Sequence, residues 1–316
     1  MERQAEQQKP LVVVCGPTGS GKSALAVALA ERFSGEVVNC DSVQVYRHFE
    51  IGTAKITPAE RRGIPHHLLD AAEPDAVFTA GDYARLARAA LHAISARGRL
   101  PVVAGGTGFY LRALLDGLFE GPPRNEALRA RLLARESRRP GSLHRLLGRW
   151  DQAAAARIHK HDTSKLTRAL EVMWAEKQSL TDLFARGRDP LTGYRVLKLG
   201  LNPPRLELYE RIERRAREMF EHGLLNEVRA LLAQGWPATA KPFESLGYAQ
   251  ALACLQGTVT QDQAIAETQM HTRRYAKRQW TWFRREQDME WLDGFGGEPD
   301  VQHTAIQRVA RFLTQA

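Results

Sequence analysis

The apolar run Leu11–Cys15 (LVVVC), a glycine-rich turn and the segment Ser23–Phe33 (SALAVALAERF), with apolar residues at helical spacing, predict strand, loop and helix in succession. Glu36–Cys40 (EVVNC) reads as a second buried strand, ending at the polar pair Asp41 and Ser42. Residues 80–97 place arginines between apolar positions at helical spacing, and Leu100–Ala104 (LPVVA) gives a third strand that runs into Gly105-Gly106-Thr107-Gly108. Strands alternating with helices in this way predict an α/β fold, a parallel sheet with helices on both faces. After Gly121-Pro122-Pro123 the pattern changes, because residues 124–187 are dense in Arg, Ala and Leu and contain no strand-like run. A helical insertion is expected there. Tyr194–Leu201 returns as a strand, helices follow, and Met289–Leu292 is expected as an edge strand. The organisation expected is an α/β core from 1–120 and 195–316, interrupted by an all-helical subdomain at 121–194.

Composition narrows the class. With 316 residues and 43% hydrophobic content the chain is long enough for two domains and too apolar to be disordered. The three cysteines, Cys15, Cys40 and Cys254, are too few for a disulfide framework and too widely spaced for a zinc motif, which fits a reducing cytoplasm. The polar start MERQAEQQKP predicts no signal peptide, and no apolar run approaches the ~20 residues of a membrane span. A formal charge of +9 points to a polyanionic partner or to solubilising charge.

The strongest chemical signal is Gly16-Pro17-Thr18-Gly19-Ser20-Gly21-Lys22-Ser23, which fits G-x-x-x-x-G-K-[ST] with the required strand before it and helix after it. Such a loop wraps a diphosphate with backbone amides, Lys22 supplies positive charge, and the Ser23 hydroxyl can hold Mg²⁺. The loop alone does not say which diphosphate; ATP and any other diphosphate ester meet the same physics. Asp41 follows the second strand, at the edge of the sheet where ligands bind, and reads equally as a general base, a turn cap or a second-shell partner of magnesium. Thr107 in the third glycine-rich turn is expected at the same crevice. The segment His271–Arg285 (HTRRYAKRQWTWFRR) carries six Lys/Arg, no acid and four large aromatics. Its cations suit RNA phosphates, and its aromatics either stack on unpaired bases or fill the core. The ten histidines show no metal-ligand spacing, and G-x-S-x-G is absent.

Taken together, GPTGSGKS at 16–23, DSVQVYRHFEIGTAK at 41–55, HHLLD at 66–70, GGTGFYLRALLDGL at 105–118, RALEV at 168–172 and RRYAKRQWTWFR at 273–284 resemble the tRNA isopentenyltransferase (tRNA dimethylallyltransferase) family. The resemblance runs from about residue 11 to about residue 292. It implies a P-loop kinase-like core with a helical insertion that grips the anticodon stem-loop of tRNA. It also implies transfer of a dimethylallyl group from dimethylallyl diphosphate to the exocyclic amine of the adenosine 3′ to the anticodon, releasing diphosphate. On that resemblance the loop 16–23 holds the donor's diphosphate with Mg²⁺ at Ser23, rather than ATP. Asp41 matches the base, Thr107 matches a threonine that organises the catalytic centre and contacts tRNA, and Arg215 of R-x-x-x-M-x-x-x-G-L matches a diphosphate contact.

The same resemblance implies tRNA contacts at Asp41, Ser42, Val43 and Gln44, at Arg129, at Ser164, Lys165, Leu166, Thr167 and Arg168, and at Glu244, Ser245, Leu246, Gly247, Tyr248 and Ala249. Arg274, Lys277 and Arg278 are expected to join them as cations of the basic segment. Ser164 and Lys165 depart from the usual Gln-Arg, losing a planar fork; His48 replaces a usual glycine, and Ala249 stands where a basic residue is common. A cytoplasmic monomer is expected. The competing readings are a P-loop nucleotide or metabolite kinase, prenyl transfer to free AMP, and a non-catalytic RNA-binding switch.

Overall fold

A computed structural model of the chain describes residues 8–119, 121–122, 124–185 and 187–315. Residues 1–7 of the segment read as lacking a signal peptide, and Pro123 of the expected domain boundary, lie outside them. Among the described residues β1 (Lys9–Cys15), β2 (Gly35–Asn39), β3 (His66–His67), β4 (Leu100–Gly105), β5 (Tyr194–Leu201) and β6 (Met289–Leu292) form one sheet in the order β3-β2-β4-β1-β5-β6. All pairings are parallel. β1 is central and is buried at every position from Leu11 to Cys15, as a strand with both faces covered must be. The strands expected at 11–15, 36–40, 100–104, 194–201 and 289–292 are present, whereas the two-residue β3 was too short to carry a pattern.

The helices of the core are α1 (Lys22–Arg32), α2 (Ala80–Ala96) and α3 (Gly108–Leu115), and those of the inserted stretch are α4 (Glu126–Arg138), α5 (Ser142–Trp150), α6 (Gln152–Arg157), α7 (Thr163–Glu176) and α8 (Leu180–Ala185). The core then resumes with α9 (Arg205–Glu221), α10 (Leu224–Ala233), α11 (Tyr248–Leu255), α12 (Gln261–Phe283) and α13 (Pro299–Thr314). Local sequence starts the long ones. Reciprocal capping boxes, Thr79 with Asp82 and Thr260 with Gln263, satisfy the first free amides of α2 and α12. Val12 and Val14 of β1 join Leu25 and Leu29 of α1 and Ala305 and Val309 of α13 in one apolar cluster. This is the α/β parallel sheet flanked by helices that the alternation of elements predicts.

Two compact units emerge, Met1–Leu115 with Leu191–Ala316, and Asp116–Pro190. The helical unit therefore starts and ends a few residues before the expected 121–194. The reason is local: Leu191 N donates to Leu115 O at 2.8 Å, so the core closes at that pair. The helical unit has its own core, built from Leu132, Leu143, Leu147, Leu166 and Leu170. No helix among the described residues is long and apolar enough to cross a membrane.

Candidate active site

The loop after β1 meets α1 at Gly21, which sits at φ +87°. A Cβ there would lie 3.0 Å from the Gly296 nitrogen, so the residue must be small as well as left-handed. Gly21 caps α1 without a side chain, and the amides of Gly19, Gly21, Lys22 and Ser23 have no acceptor among the described residues. Together with the helix N-terminus they form a nest for an anion. Lys22 Nζ donates to Pro17 O at 2.8 Å, within the loop itself. Burial pulls the Lys22 pKa down to about 8, although Asp41 raises it and Arg215 lowers it further. Arg215 Nη2 donates to Thr18 Oγ1 at 2.8 Å, which brings the diphosphate contact expected on α9 to the loop. Ser20 differs from the rest of the motif: it is fully buried, and its hydroxyl has no hydrogen-bond partner among the described residues.

Asp41 lies two residues beyond β2, and Oδ1 accepts from Val43 N at 2.9 Å and Gln44 N at 3.2 Å. The carboxylate is thus a turn cap. Oδ2 has no hydrogen-bond partner among the described residues, and Asp41 lines a cavity of about 250 Å³ together with Thr18, Arg215 and Tyr275. One oxygen caps the turn and the other stays unpaired.

Thr107 sits where it can organise the centre, as the resemblance implies. Its hydroxyl accepts from Ser42 N at 3.0 Å and is reached by the Tyr275 phenol, and the residue does not line the cavity. Thr107 thereby fixes the loop that carries Asp41. The Gln44 amide donates to Thr53 O at 3.1 Å and ties the loop to itself, and the residue stays half-buried.

Other family words turn out to be struts. Lys55, with no side-chain exposure, donates to Tyr46 O at 2.9 Å and pairs with Glu50 at 2.9 Å and with Asp70 of HHLLD at 2.6 Å. Tyr248 is fully buried, donates to Glu227 and accepts from Gly52 N at 3.1 Å, and Gly247 is buried beside it. Neither presents a surface to tRNA, whereas Glu244, Ser245 and Leu246 line the cavity together with Ser42 and Val43. Ala249 is half-buried at the start of α11.

The residue the sequence reading passed over is Gln279. It is buried on α12; Oε1 accepts from Thr18 N at 2.7 Å and Nε2 donates to Gly106 O at 2.8 Å. One amide therefore locks the loop after β1 to the glycine-rich turn after β4, and a Cβ on Gly106 would sit 2.2 Å from its nitrogen. The apolar wall of the cavity, Ile212, Ala216 and Met219, was also passed over, although it surrounds Arg215 at helical spacing.

In the basic segment the aromatics turn inward: Trp280 packs with Leu208, Ile212 and Phe295, Phe283 is buried, and the Arg112 guanidinium lies 4.5 Å from the Trp282 ring centroid. Trp280 and Phe283 are thus packing residues, whereas Tyr275 lines the cavity. Arg274, Lys277 and Arg278 are exposed and have no ion pair among the described residues. In the helical unit Arg129 and Arg168 contact Glu171 Oε2 at 3.3 and 2.8 Å, and Asn125 N donates to Oε1 at 2.6 Å. Burial pushes the Glu171 pKa up, but Arg168, the Asn125 amide and Arg129 outweigh it and hold the carboxyl below its usual value. Ser164 and Lys165 are exposed, with Lys165 paired to Asp162 at 2.6 Å. Leu166 and Thr167 are fully buried in that unit's core, so the tRNA contacts expected of them are corrected.

The family model for IPP transferase matches residues 44–286. A tRNA dimethylallyltransferase of Solibacter usitatus is 61% identical over 306 residues, covering 97% of this chain and 100% of that relative. One from Koribacter versatilis is 56% identical over 298 residues, 94% of this chain and 97% of the relative. Among solved structures, the full-length tRNA isopentenylpyrophosphate transferase of Bacillus halodurans superimposes with TM-score 0.70 at 36% identity, over 98% of this chain and 96% of that one. A eukaryotic dimethylallyltransferase acting on tRNA gives TM-score 0.84 at 27% identity, over 97% and 80%. With a phosphate nest, a half-free carboxylate and an exposed row of cations already placed by the fold, these similarities establish that the chain belongs to the tRNA dimethylallyltransferase, or IPP transferase, family.

Proposed function

We propose that this transferase prenylates tRNA by moving the dimethylallyl group of dimethylallyl diphosphate onto the exocyclic amine of the adenosine 3′ to the anticodon. The observation that carries the reading is the single cavity lined both by Asp41, which has one unpaired oxygen, and by the Arg215–Thr18 edge of the phosphate nest. A base and a diphosphate site on one cavity are what an amine and an allylic diphosphate need in order to react.

In the reaction the bond from the allylic carbon to the diphosphate oxygen breaks, the electron pair leaving with the diphosphate. The amine nitrogen forms the new bond to carbon and its proton passes to Asp41. The free amides of residues 19 and 21–23, with Lys22 and Arg215, stabilise the charge that develops on the departing diphosphate. Asp41 acts during bond formation, because an adenine amine is too weak an acid to be deprotonated beforehand. The adenine must leave its stack to reach the carboxylate, and an anticodon loop lowers that cost because it is already unpaired.

The protein offers one exposed hydroxyl, Ser23, at the nest, and no cluster of three or more His, Cys, Asp or Glu that could hold a metal is found among the described residues. That donor set fits Mg²⁺ carried by the diphosphate and its waters, with Ser23 as a protein ligand, and would not fit a tightly caged metal. When bound, the ion would neutralise diphosphate charge. We place the reaction in the cytoplasm, performed by a monomer.

The test supplies labelled dimethylallyl diphosphate and Mg²⁺ with an anticodon stem-loop, beside parallel reactions with AMP and with ATP. Label entering the RNA, and lost when the target adenosine is replaced, is the expected result. ATP turnover or prenylated AMP with unlabelled RNA would overturn the substrate assignment.

A further inference from the structure

On one face of α9, Ile212, Arg215, Ala216 and Met219 follow the i, i+3, i+4, i+7 spacing and all line the cavity. Arg215 reaches the phosphate loop through Thr18, and Ile212 lies beneath the same loop, its Cγ1 3.4 Å from where a Cβ on Gly19 would stand. Met219 lies one turn further along the helix, on the side away from the loop. The other cavity residues beyond Arg215 are largely polar, among them Ser42, Thr53, Thr268 and Thr272. Val43 and Leu246 are apolar too, but the continuous apolar strip that begins beside Arg215 is the one on α9, along Ala216 toward Met219, and the polar residues opposite suit the adenine.

We infer that Met219 is the stop that sets the length of the prenyl donor, with Ala216 as the floor on which the five-carbon chain lies. The inference rests on the function proposed above. A dimethylallyl chain is three C–C bonds long from the carbon bearing the diphosphate to its terminal methyls, which fits within one helical turn of about 5.4 Å. A ten-carbon geranyl chain does not. Side chains on a helix lean toward its N-terminus, so the thioether of Met219 covers the turn that holds Arg215 and Ala216 rather than the turn beyond. Met219 is only 9% exposed and packs into the same apolar cluster as Phe220, Leu224 and Tyr248, so it has support behind it. The cavity, about 250 Å³ in all, is below the roughly 300–1,000 Å³ of drug-sized sites and must also admit a purine.

The experiment compares dimethylallyl and geranyl diphosphate as donors to the anticodon stem-loop, with wild type, Met219→Ala, Met219→Val and Ala216→Leu. Wild type is expected to use dimethylallyl and reject geranyl. Met219→Ala removes three heavy atoms and should raise the geranyl-to-dimethylallyl ratio of kcat/KM by at least about tenfold, the discrimination that one or two carbons command in an apolar pocket. Ala216→Leu should raise the KM for dimethylallyl diphosphate by a similar factor while the Kd for the stem-loop stays within twofold. Met219→Val retains a packed side chain and carries the same test should the alanine variant fold poorly. Met219 variants that still transfer dimethylallyl at the wild-type donor ratio overturn the inference. A wild type that moves no dimethylallyl group onto RNA overturns the proposed function itself, and does so before any variant is made.

Discussion

Two carboxylates, one in each unit, are handled by the fold in opposite ways. Glu171 in the helical unit is 1% exposed and spends both oxygens, one on the Asn125 amide and one on Arg129 and Arg168. Asp41 in the core lines a cavity, spends one oxygen on two amides and leaves the other unpaired. The first arrangement neutralises a charge and the second orients one. The cations divide in the same way, since Arg129 and Arg168 are committed to Glu171 while Arg274, Lys277 and Arg278 have no acid partner among the described residues. What separates structural from functional charge here is whether the fold leaves it uncompensated, because an oriented and unpaired group retains its energy for a ligand.

The largest test of that contrast is Asp41→Asn, which keeps an oxygen for the turn cap and removes the proton acceptor. It should lower kcat by about 10²–10⁴-fold, the usual worth of a general base. The Kd for the stem-loop should stay within twofold by filter binding. A fully active variant would remove Asp41 as the base.

Next in size is the pH response of Lys22. Its pKa in the free enzyme is lowered to about 8, so the ammonium is charged below that pH and loses its charge as pH rises through it. Donor KM should therefore climb above pH 8, by up to about tenfold per pH unit if the charge is essential. Lys22→Arg, whose guanidinium stays protonated, should flatten that limb. An identical alkaline limb in both proteins would assign the titration to another group.

Glu171→Gln probes the other carboxylate. Losing the charge-assisted bonds should cost about 2 kcal/mol in denaturant unfolding, with turnover below the melting range nearly unchanged. Lost turnover at unaltered stability would contradict the contrast between the two sites.

Much of the core was legible because its signals are local. LVVVC before a glycine-rich loop, and LPVVA before another, contain both the strand and the reason it ends. Gln279 was not legible, because its partner Thr18 lies 261 positions away and a glutamine among arginines carries no pattern of its own. Likewise, the matched words at 164–168 and 244–249 marked the right elements but not the buried side, so Leu166, Thr167, Gly247 and Tyr248 were read as contacts although they pack inward. A resemblance gives positions in a sequence, and burial decides which of them a partner can touch.

The smallest effect expected is also the most specific to the exposed row on α12. Lys277→Ala removes one exposed cation with no ion pair, so it should leave stability unchanged. If that ammonium sits against a phosphate, binding releases one fewer counterion, and the slope of log Kobs against log[salt] should become shallower by about 0.7–0.9. Arg168→Ala provides the counterpart in the helical unit: its guanidinium is held 2.8 Å from Glu171, so stability should fall while the salt slope stays put. A slope that changes for Arg168 and not for Lys277 would reverse the assignment of which cations meet the RNA, even if both variants remained active.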